Sequence, residues 1–109
     1  MLVNTFCAAV NGLEVTTVKV EVSMTRGVQF HLTGLADTAV RESYDRIRAA
    51  LQNNGLKMPM MDITANLSPA DIKKEGSGYD LPLAIGILAA SGKVDGSRLN
   101  DYMMVGELG

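Results

Sequence analysis

The stretch LSPADIKKEGSGYDLPLAIG, residues 67–86, decides the fold. It begins at the end of a segment in which apolar and polar residues alternate. A polar segment with two adjacent lysines follows, and the stretch ends in an apolar run with almost no charge. The apolar run predicts a helix over about 79–91 that is buried on most sides, because it has no polar face to turn to water. The alternation before it predicts a strand over 61–68. We therefore expect a polar loop that connects a strand directly to a buried helix.

The sequence upstream of this stretch alternates apolar and polar residues, which is typical of half-buried strands. Residues 2–10 form a first apolar segment and end at Asn11-Gly12, a pair typical of β-hairpin turns. Further alternation follows over 18–23 and again over 28–33. The N-terminal third is therefore predicted to form an antiparallel three-stranded sheet.

An amphipathic helix of about 16 residues is predicted between the third and fourth strands. Asp37 is a suitable N-cap, and Asn53-Asn54-Gly55 supplies a left-handed stop. On the polar face, Glu42 and Arg46 are four residues apart and are expected to pair. The apolar residues recur at helical spacing: Val40, Tyr44, Ile47 and Leu51.

Residues 102–108 predict a last strand, which completes the element order β-β-β-α-β-α-β. This order describes an α+β fold with one sheet and two main helices. A chain of 109 residues has the usual size of one domain, so residues 1–109 are expected to form a single core. Because the last predicted strand is cut short at Leu108, we expect the chain to be a piece of a longer protein.

The composition is that of an ordinary globular domain and argues against several classes of function. The net charge is −2, which disfavours a strongly basic nucleic-acid wrapper. The single Cys7 excludes an intrachain disulfide, and Cys7 with a single His31 disfavours a zinc site. His31 is expected on the solvated face of the sheet. No apolar run reaches the length of a membrane span and no signal peptide is recognisable, so a cytoplasmic location is expected.

The polar segment contains the residues with chemical potential. Gly76-Ser77-Gly78 before a helix has some character of a phosphate cradle, since small residues let backbone N–H groups approach an anion. Neither GxxxxGK[ST] nor GxGxxG is present, and a turn required only for backbone geometry is the alternative. Ser77 with Lys73 or Lys74 suggests a nucleophile pair, although adjacent lysines in a polar loop are normally solvated and charged.

Acidic residues in and just after this segment offer another chemistry, since carboxylates bind divalent cations. They are Asp71, Glu75 and Asp80. Pairing with the neighbouring lysines, and capping of the following helix by Asp80, are the commoner uses of such residues. Pro82 fits the first turn of that helix. No metal site is therefore assigned.

The same residues resemble a known family. Residues 67–86 are similar to the signature N-L-x-P-A-D-x-x-K-E-G-x-x-[FY]-D-L-P-x-A-x-G of magnesium-chelatase-related AAA+ ATPases of the ComM/YifB type. Residues 34–43 resemble their G-L-P-D-x-x-V-x-E-S segment, with Ala36 in place of proline, and residues 105–108 resemble their x-G-E-L strand. The loop positions singled out by the signature are Pro69, Asp71, Glu75, Gly76, Ser77, Gly78 and Asp80.

The resemblance implies a fold and bears on the serine–lysine pair. In that family this region is the N-terminal domain ahead of the ATPase module, and it is related to the proteolytic domain of Lon and the C-terminal domain of RadA. A Lon-like sheet packed with two main helices is therefore expected. The Lon nucleophile motif K-D-G-P-S-A-G, laid on residues 74–78, places its serine at Gly78 and not at Ser77. A Lon-type scaffold without the peptidase dyad, and so without catalytic residues, is implied.

For function, the resemblance implies a non-catalytic accessory domain of a hexameric AAA+ motor that processes DNA by branch migration during recombination. ATP and Mg²⁺ are then expected in the rest of the parent protein. The expected partners are its own ATPase module, sister subunits and, weakly, DNA, with no membrane contact. An oligomerisation or partner-docking collar without DNA contact, and part of a true metal-chelatase subunit, stay open as alternatives. DNA contact would use the cations Arg41, Arg48, Lys57, Lys73 and Lys74.

Overall fold

The first two predicted strands form a hairpin. In the computed structural model, which describes residues 1–109, strand β1 spans Leu2–Asn11 and strand β2 spans Glu14–Thr25, and the two pair antiparallel along their length. Gly12 and Leu13 form the two-residue loop, one position later than the predicted Asn11-Gly12 turn. The φ of +61° at Gly12 suits a residue without a Cβ atom. The predicted hairpin is confirmed.

The third strand does not extend this hairpin. Strand β3 spans Phe30–Thr33, strand β4 spans Asp62–Ser68, and the sheet has the order β1-β2-β4-β3. β4 lies between the other two, antiparallel to β2 and parallel to β3, so the predicted antiparallel three-stranded sheet is wrong. The reason is length, because the four residues of β3 offer fewer ladder bonds to β2 than the seven residues of β4.

The amphipathic helix is confirmed, with one interruption. Helix α1 spans Thr38–Arg41 and helix α2 spans Ser43–Asn53. Asp37 is the N-cap, since its Oδ1 accepts a hydrogen bond from the N–H of Val40 at 2.8 Å. The predicted apolar face packs against the core, and the ring of Tyr44 also packs on the ring of Phe30 in β3. Gly55, with φ +73°, follows the end of the helix as predicted.

Helix α3 spans Asp80–Ala90, within the predicted 79–91, and forms the centre of the core. Nine of its eleven residues are buried, as expected for a helix without a polar face. It packs on β1 and β2, and a Cβ atom added at Gly86 would lie 2.8 Å from Cγ2 of Val22. One four-stranded sheet and two longer helices confirm the α+β prediction.

None of the helices is long and apolar enough to span a bilayer.

Residues 102–108 do not form the predicted last strand. A short 3₁₀ helix at Leu99–Asp101 precedes them. The N–H of Met104 donates to the carbonyl of Phe6 at 2.8 Å, whereas the N–H of Gly106 donates to the carbonyl of Gly78 at 2.9 Å. One donor therefore goes to a strand edge and the other to a loop, so no ladder forms.

We expect Gly86→Ala to destabilise the protein, although alanine favours a helix over glycine by about 1 kcal/mol. The new methyl group would press on Val22, a stiff β-branched side chain, and overpacking a core costs about 1–3 kcal/mol. Urea denaturation should show a net loss of about 1 kcal/mol in the free energy of unfolding. In a Val22→Ala background the same change should be neutral or stabilising, and an equal loss in both backgrounds would contradict this close contact.

Candidate functional site

The three segments that resemble the family signature lie together in space, although they are distant in the sequence. They are residues 34–43, the first part of the long signature (residues 67–80) and residues 105–108, and we call their meeting point the motif junction. Backbone hydrogen bonds join the first segment to the second and the second to the third. The junction therefore combines the start of α1, the loop between β4 and α3, and the segment that follows the 3₁₀ helix.

The backbone links at the motif junction require a close approach of two chain segments. The N–H of Lys74 donates to the carbonyl of Leu35, and the N–H of Asp37 donates to the carbonyl of Lys74, both at 3.0 Å. At Gly34, where φ is +116°, a Cβ atom would lie 2.1 Å from the carbonyl oxygen of Leu67. Only glycine fits there, so Gly34 is required for the close approach of the two backbone segments.

Asp37 ties the polar loop to the helix. While its Oδ1 caps α1, its Oδ2 accepts a hydrogen bond from the N–H of Gly76 at 3.2 Å. Gly76 has φ +85°, a conformation that favours glycine. A backbone N–H of the Gly-Ser-Gly triplet is thus already bound to a carboxylate of the protein itself.

A buried ion pair joins α2 to α3. The guanidinium of Arg46 donates to both oxygens of Asp80, from Nε to Oδ2 at 2.7 Å and from Nη2 to Oδ1 at 2.9 Å. The side chain of Asp80 is 0% exposed and that of Arg46 is 26% exposed. Asp80 Oδ2 also accepts the N–H of Leu108 at 3.1 Å, and the Asp80 carboxylate raises the pKa of Arg46. One carboxylate therefore holds two helices and the last segment of the motif junction.

This pair corrects two predictions and was missed by sequence reasoning. Arg46 does not pair with Glu42, because the buried carboxylate offers it a desolvated, two-pronged partner that an exposed glutamate cannot match. Asp80 makes no capping hydrogen bond at the start of α3. A usable signal existed, since Asp80 is the one charged residue within the predicted helix 79–91 and a buried charge requires a partner.

Lys74 was expected to be solvated and to contact DNA, and the structure corrects both expectations. It is 0% exposed, and its Nζ donates to the carbonyl of Pro69 across the loop. Burial lowers the pKa of Lys74, an effect that the nearby Asp71 carboxylate opposes. The neighbouring Lys73 is exposed and lies 3.5 Å from the carboxylate of Glu75. Only one of the two lysines can reach a ligand, because the loop folds over the other.

Ser77 is not placed for nucleophilic chemistry. Its hydroxyl donates to the carboxylate of Glu107, while Lys74 is engaged with a carbonyl. The Gly78 carbonyl next to it is taken by the N–H of Gly106. With Glu107 and the buried Asp80 beside it, this loop does not fit the phosphates of a nucleotide. The structure also contains no group of three or more His, Cys, Asp or Glu side chains placed to hold a metal ion.

The exposed cations of α2 and the loop after it form a different kind of surface. Arg48 and Lys57 line a cavity of about 460 Å³, and Arg48 also borders a neighbouring cavity of about 210 Å³; we call the two together the basic groove. Neither cation makes a salt bridge, and no carboxylate lines either cavity. Its other lining residues are Val28, Tyr44, Gln52, Gly55, Leu56, Met58, Pro59 and Met60.

The five predicted DNA contacts are therefore dispersed. Arg48 and Lys57 come together in the basic groove. Arg41, on α1, is exposed and unpaired, with its Nε donating to the carbonyl of Ala36 at 3.2 Å. Lys73 lies beside a different cavity, next to Glu75 and Tyr79, and Lys74 is buried.

Comparison with known proteins identifies the family behind the motif junction. A family model described as subunit ChlI of Mg-chelatase matches residues 20–109, which include all three signature segments. The chain belongs to the ChlI family. The resemblance to magnesium-chelatase-related proteins of the ComM/YifB type is thereby confirmed.

Curated relatives of the ChlI family agree with this assignment. The chain is 47% identical over 98 residues to the competence protein ComM of Haemophilus influenzae, and 44% identical over 98 residues to the protein YifB of Escherichia coli. Both matches cover 89% of this chain and 19% of the relative. A protein of Mycobacterium tuberculosis is 44% identical over 104 residues, 94% of this chain and 21% of the relative. The chain thus spans about a fifth of the length of the relatives it matches.

Asp80→Asn is expected to cost about 3 kcal/mol in the free energy of unfolding, because it leaves Arg46 without its buried counter-charge. Glu14→Gln makes the same carboxylate-to-amide change at an exposed strand end and should cost less than about 0.5 kcal/mol. Chemical denaturation of both variants measures this. Similar small losses for the two would show that the Asp80 pair does not hold the junction.

Tyr79 makes stability fall at alkaline pH. Burial raises the pKa of Tyr79 from 10.0 to about 12, with the negative charges of Cys7, Asp37 and Glu75 adding to the effect. Since the folded pKa is raised, this stability is fully present below pH 10 and is lost between pH 10 and about 12. At pH 11 the loss should be about 1.4 kcal/mol.

Tyr79→Phe tests this, because it keeps the ring and removes the ionisable hydroxyl. Urea denaturation at pH 8 and pH 11 should show a smaller alkaline loss for the variant than for the parent chain, with the difference near the stated value. Tyr102→Phe, at an exposed tyrosine, is the matched control and should leave the alkaline loss unchanged. If the parent and Tyr79→Phe lost the same free energy of unfolding between pH 8 and pH 11, the raised pKa of a buried Tyr79 hydroxyl would be contradicted.

Proposed function

We propose that this chain is a non-catalytic accessory domain of a magnesium-chelatase-related AAA+ ATPase that processes DNA, and that its basic groove contacts DNA phosphates. The observation that carries the proposal is that Arg48 and Lys57 share a groove without a single carboxylate, in a chain whose net charge is −2. Uncompensated cations on an otherwise acidic chain are a local attraction for a polyanion.

The arrangement suits backbone contact. Phosphate contacts come mainly from Arg and Lys side chains, and they position a nucleic acid without reading its sequence. Arg41 lies seven residues before Arg48 on the same helical stretch, so it can extend the contact along α1 and α2. Two or three such contacts give weak, salt-sensitive binding, which suits a domain that assists a motor rather than holding DNA alone.

The relatives support the assignment to a larger machine. One of them is named a competence protein, and the matched region is about a fifth of its length. In the proposed parent, ATP and Mg²⁺ bind outside residues 1–109, and the partners are the ATPase module and sister subunits of a hexamer. The relation to the Lon proteolytic domain stays a prediction of the same resemblance.

The test is binding of the chain to a labelled DNA duplex at low salt, followed by fluorescence anisotropy. Arg48→Glu with Lys57→Glu should weaken binding about tenfold and reduce the slope of log K against log salt by about 2, since two phosphate contacts are lost. Lys93→Glu with Arg98→Glu is the matched control, because it makes the same change of net charge outside the groove. It should leave the salt slope unchanged.

Two outcomes would overturn the DNA contact. Equal losses in the two double variants would mean that only net charge matters. No binding by the parent chain at low salt would remove the contact altogether and leave the docking collar as the better hypothesis.

A further inference from the structure

The outer edge of β1 is unusual for a free strand. β1 is ten residues long, contains no charged residue and no proline, and pairs with β2 in an unbroken register from Leu2 to Asn11 without a bulge. Proteins normally blunt exposed edges with charges, prolines, bulges or short strands, because an open edge recruits other strands. The opposite edge of the sheet obeys this rule, since β3 has only four residues.

Two observations show which backbone groups of β1 face outward. The two-residue loop is closed by Asn11 and Glu14, a pair that must be hydrogen-bonded, so the odd-numbered residues bond to β2. The N–H of Met104 donates to the carbonyl of Phe6, which confirms that the even-numbered residues face outward. Ala8 and Val10 are the next outward residues, and neither has a backbone partner on that side.

A groove follows these free groups. A cavity of about 260 Å³ is lined on one side by residues 7–11 of β1 and on the other by the polar loop, with Val105 at its border. Val10 is 68% exposed and Val105 is 63% exposed, so both offer apolar contact to an occupant. The two charges of the groove, Lys73 and Glu75, lie 3.5 Å apart and offset each other, which favours an uncharged strand over a charged one.

We infer that this edge groove receives an extended strand of the same polypeptide, formed by residues that follow Gly109 in the full-length protein. The segment that leads there already bonds to the edge through Met104 and then leaves it at Gly106, so Ala8 and Val10 stay open beside it. The match covers only about a fifth of the length of the relatives, so full-length relatives contain further chain from which such a strand could come.

A tethered strand also has the advantage over a second copy of the chain. A segment joined by a short connection has an effective concentration in the millimolar range, far above that of a separate molecule in solution. Strand addition then gives main-chain hydrogen bonds at Ala8 and Val10, with side chains of alternate residues turned to the exposed valines. This inference does not depend on the DNA contact proposed above.

Hydrogen exchange of backbone amides tests it on two proteins, the 109-residue chain and the longer product of its natural gene. The N–H groups of Ala8 and Val10 should exchange at least about tenfold more slowly in the longer protein, because each gains a hydrogen-bond partner. The N–H groups of Cys7 and Ala9 face β2 and should be protected in both. Equal exchange at Ala8 and Val10 in the two proteins would overturn the inference, as would a reading frame that stops at Gly109.

Ala8→Pro provides the variant, because its missing N–H points away from β2 and edge strands tolerate proline at such positions. It should lower the melting temperature of the longer protein by more than it lowers that of the 109-residue chain. Ala9→Pro is the control, since it removes a bond to β2 and should destabilise both. Protection of Val10 that grows with the concentration of the 109-residue chain would assign the groove to a second copy and contradict the tethered strand.

Discussion

The carboxylate of Asp80 is the constraint on which the rest of the structure depends. It is fully buried at the start of the most apolar helix of the chain, and without partners a buried charge would cost several kcal/mol. Its partners come from two places, the guanidinium of Arg46 on α2 and the N–H of Leu108. Helix α3 can therefore enter the core only when α2 lies beside it and the last segment folds over its start. This one group couples the positions of three elements.

Much of the fold could be predicted from local pattern. The apolar segment of β1, the alternation of β2, the Asp37 cap and the uncharged apolar run of α3 all depend on residues close in sequence, and all four predictions are confirmed. The place of β3 could not be predicted in this way, because strand order is decided by competition between distant strands for the same edge of β2. The prediction of the last strand was wrong for a related reason, since residues with a strand-like sequence form a strand only when a partner strand continues alongside them.

The site was harder to predict than the fold. Two adjacent lysines in a polar loop have the same sequence signal, yet one is exposed and the other is fully buried under the carbonyl of Pro69. Composition could not separate them, because the difference arises from the backbone bridge between Lys74 and Leu35. The sequence likewise does not show that Arg48 and Lys57 lie in one groove, because the loop after α2 brings them together.

The motif junction also changes what a family signature means here. Asp37 binds backbone N–H groups, Asp80 binds Arg46, and the buried Lys74 binds a loop carbonyl, so these signature residues hold the domain together. The basic groove lies outside all three signature segments, on residues that the signature does not include. Relatives can therefore share the architecture and still differ in what their surfaces touch.

The bond between Leu108 and Asp80 connects the C-terminal segment of the chain to its helices. A force applied to the chain beyond residue 108 loads the Asp80 carboxylate directly and reaches α2 through the two guanidinium bonds of Arg46. Arg48 lies two residues further along that same rigid helix. Leu108, Asp80 and Arg46 thus form one continuous path of hydrogen bonds from the C-terminal segment to the helix that carries the cationic surface.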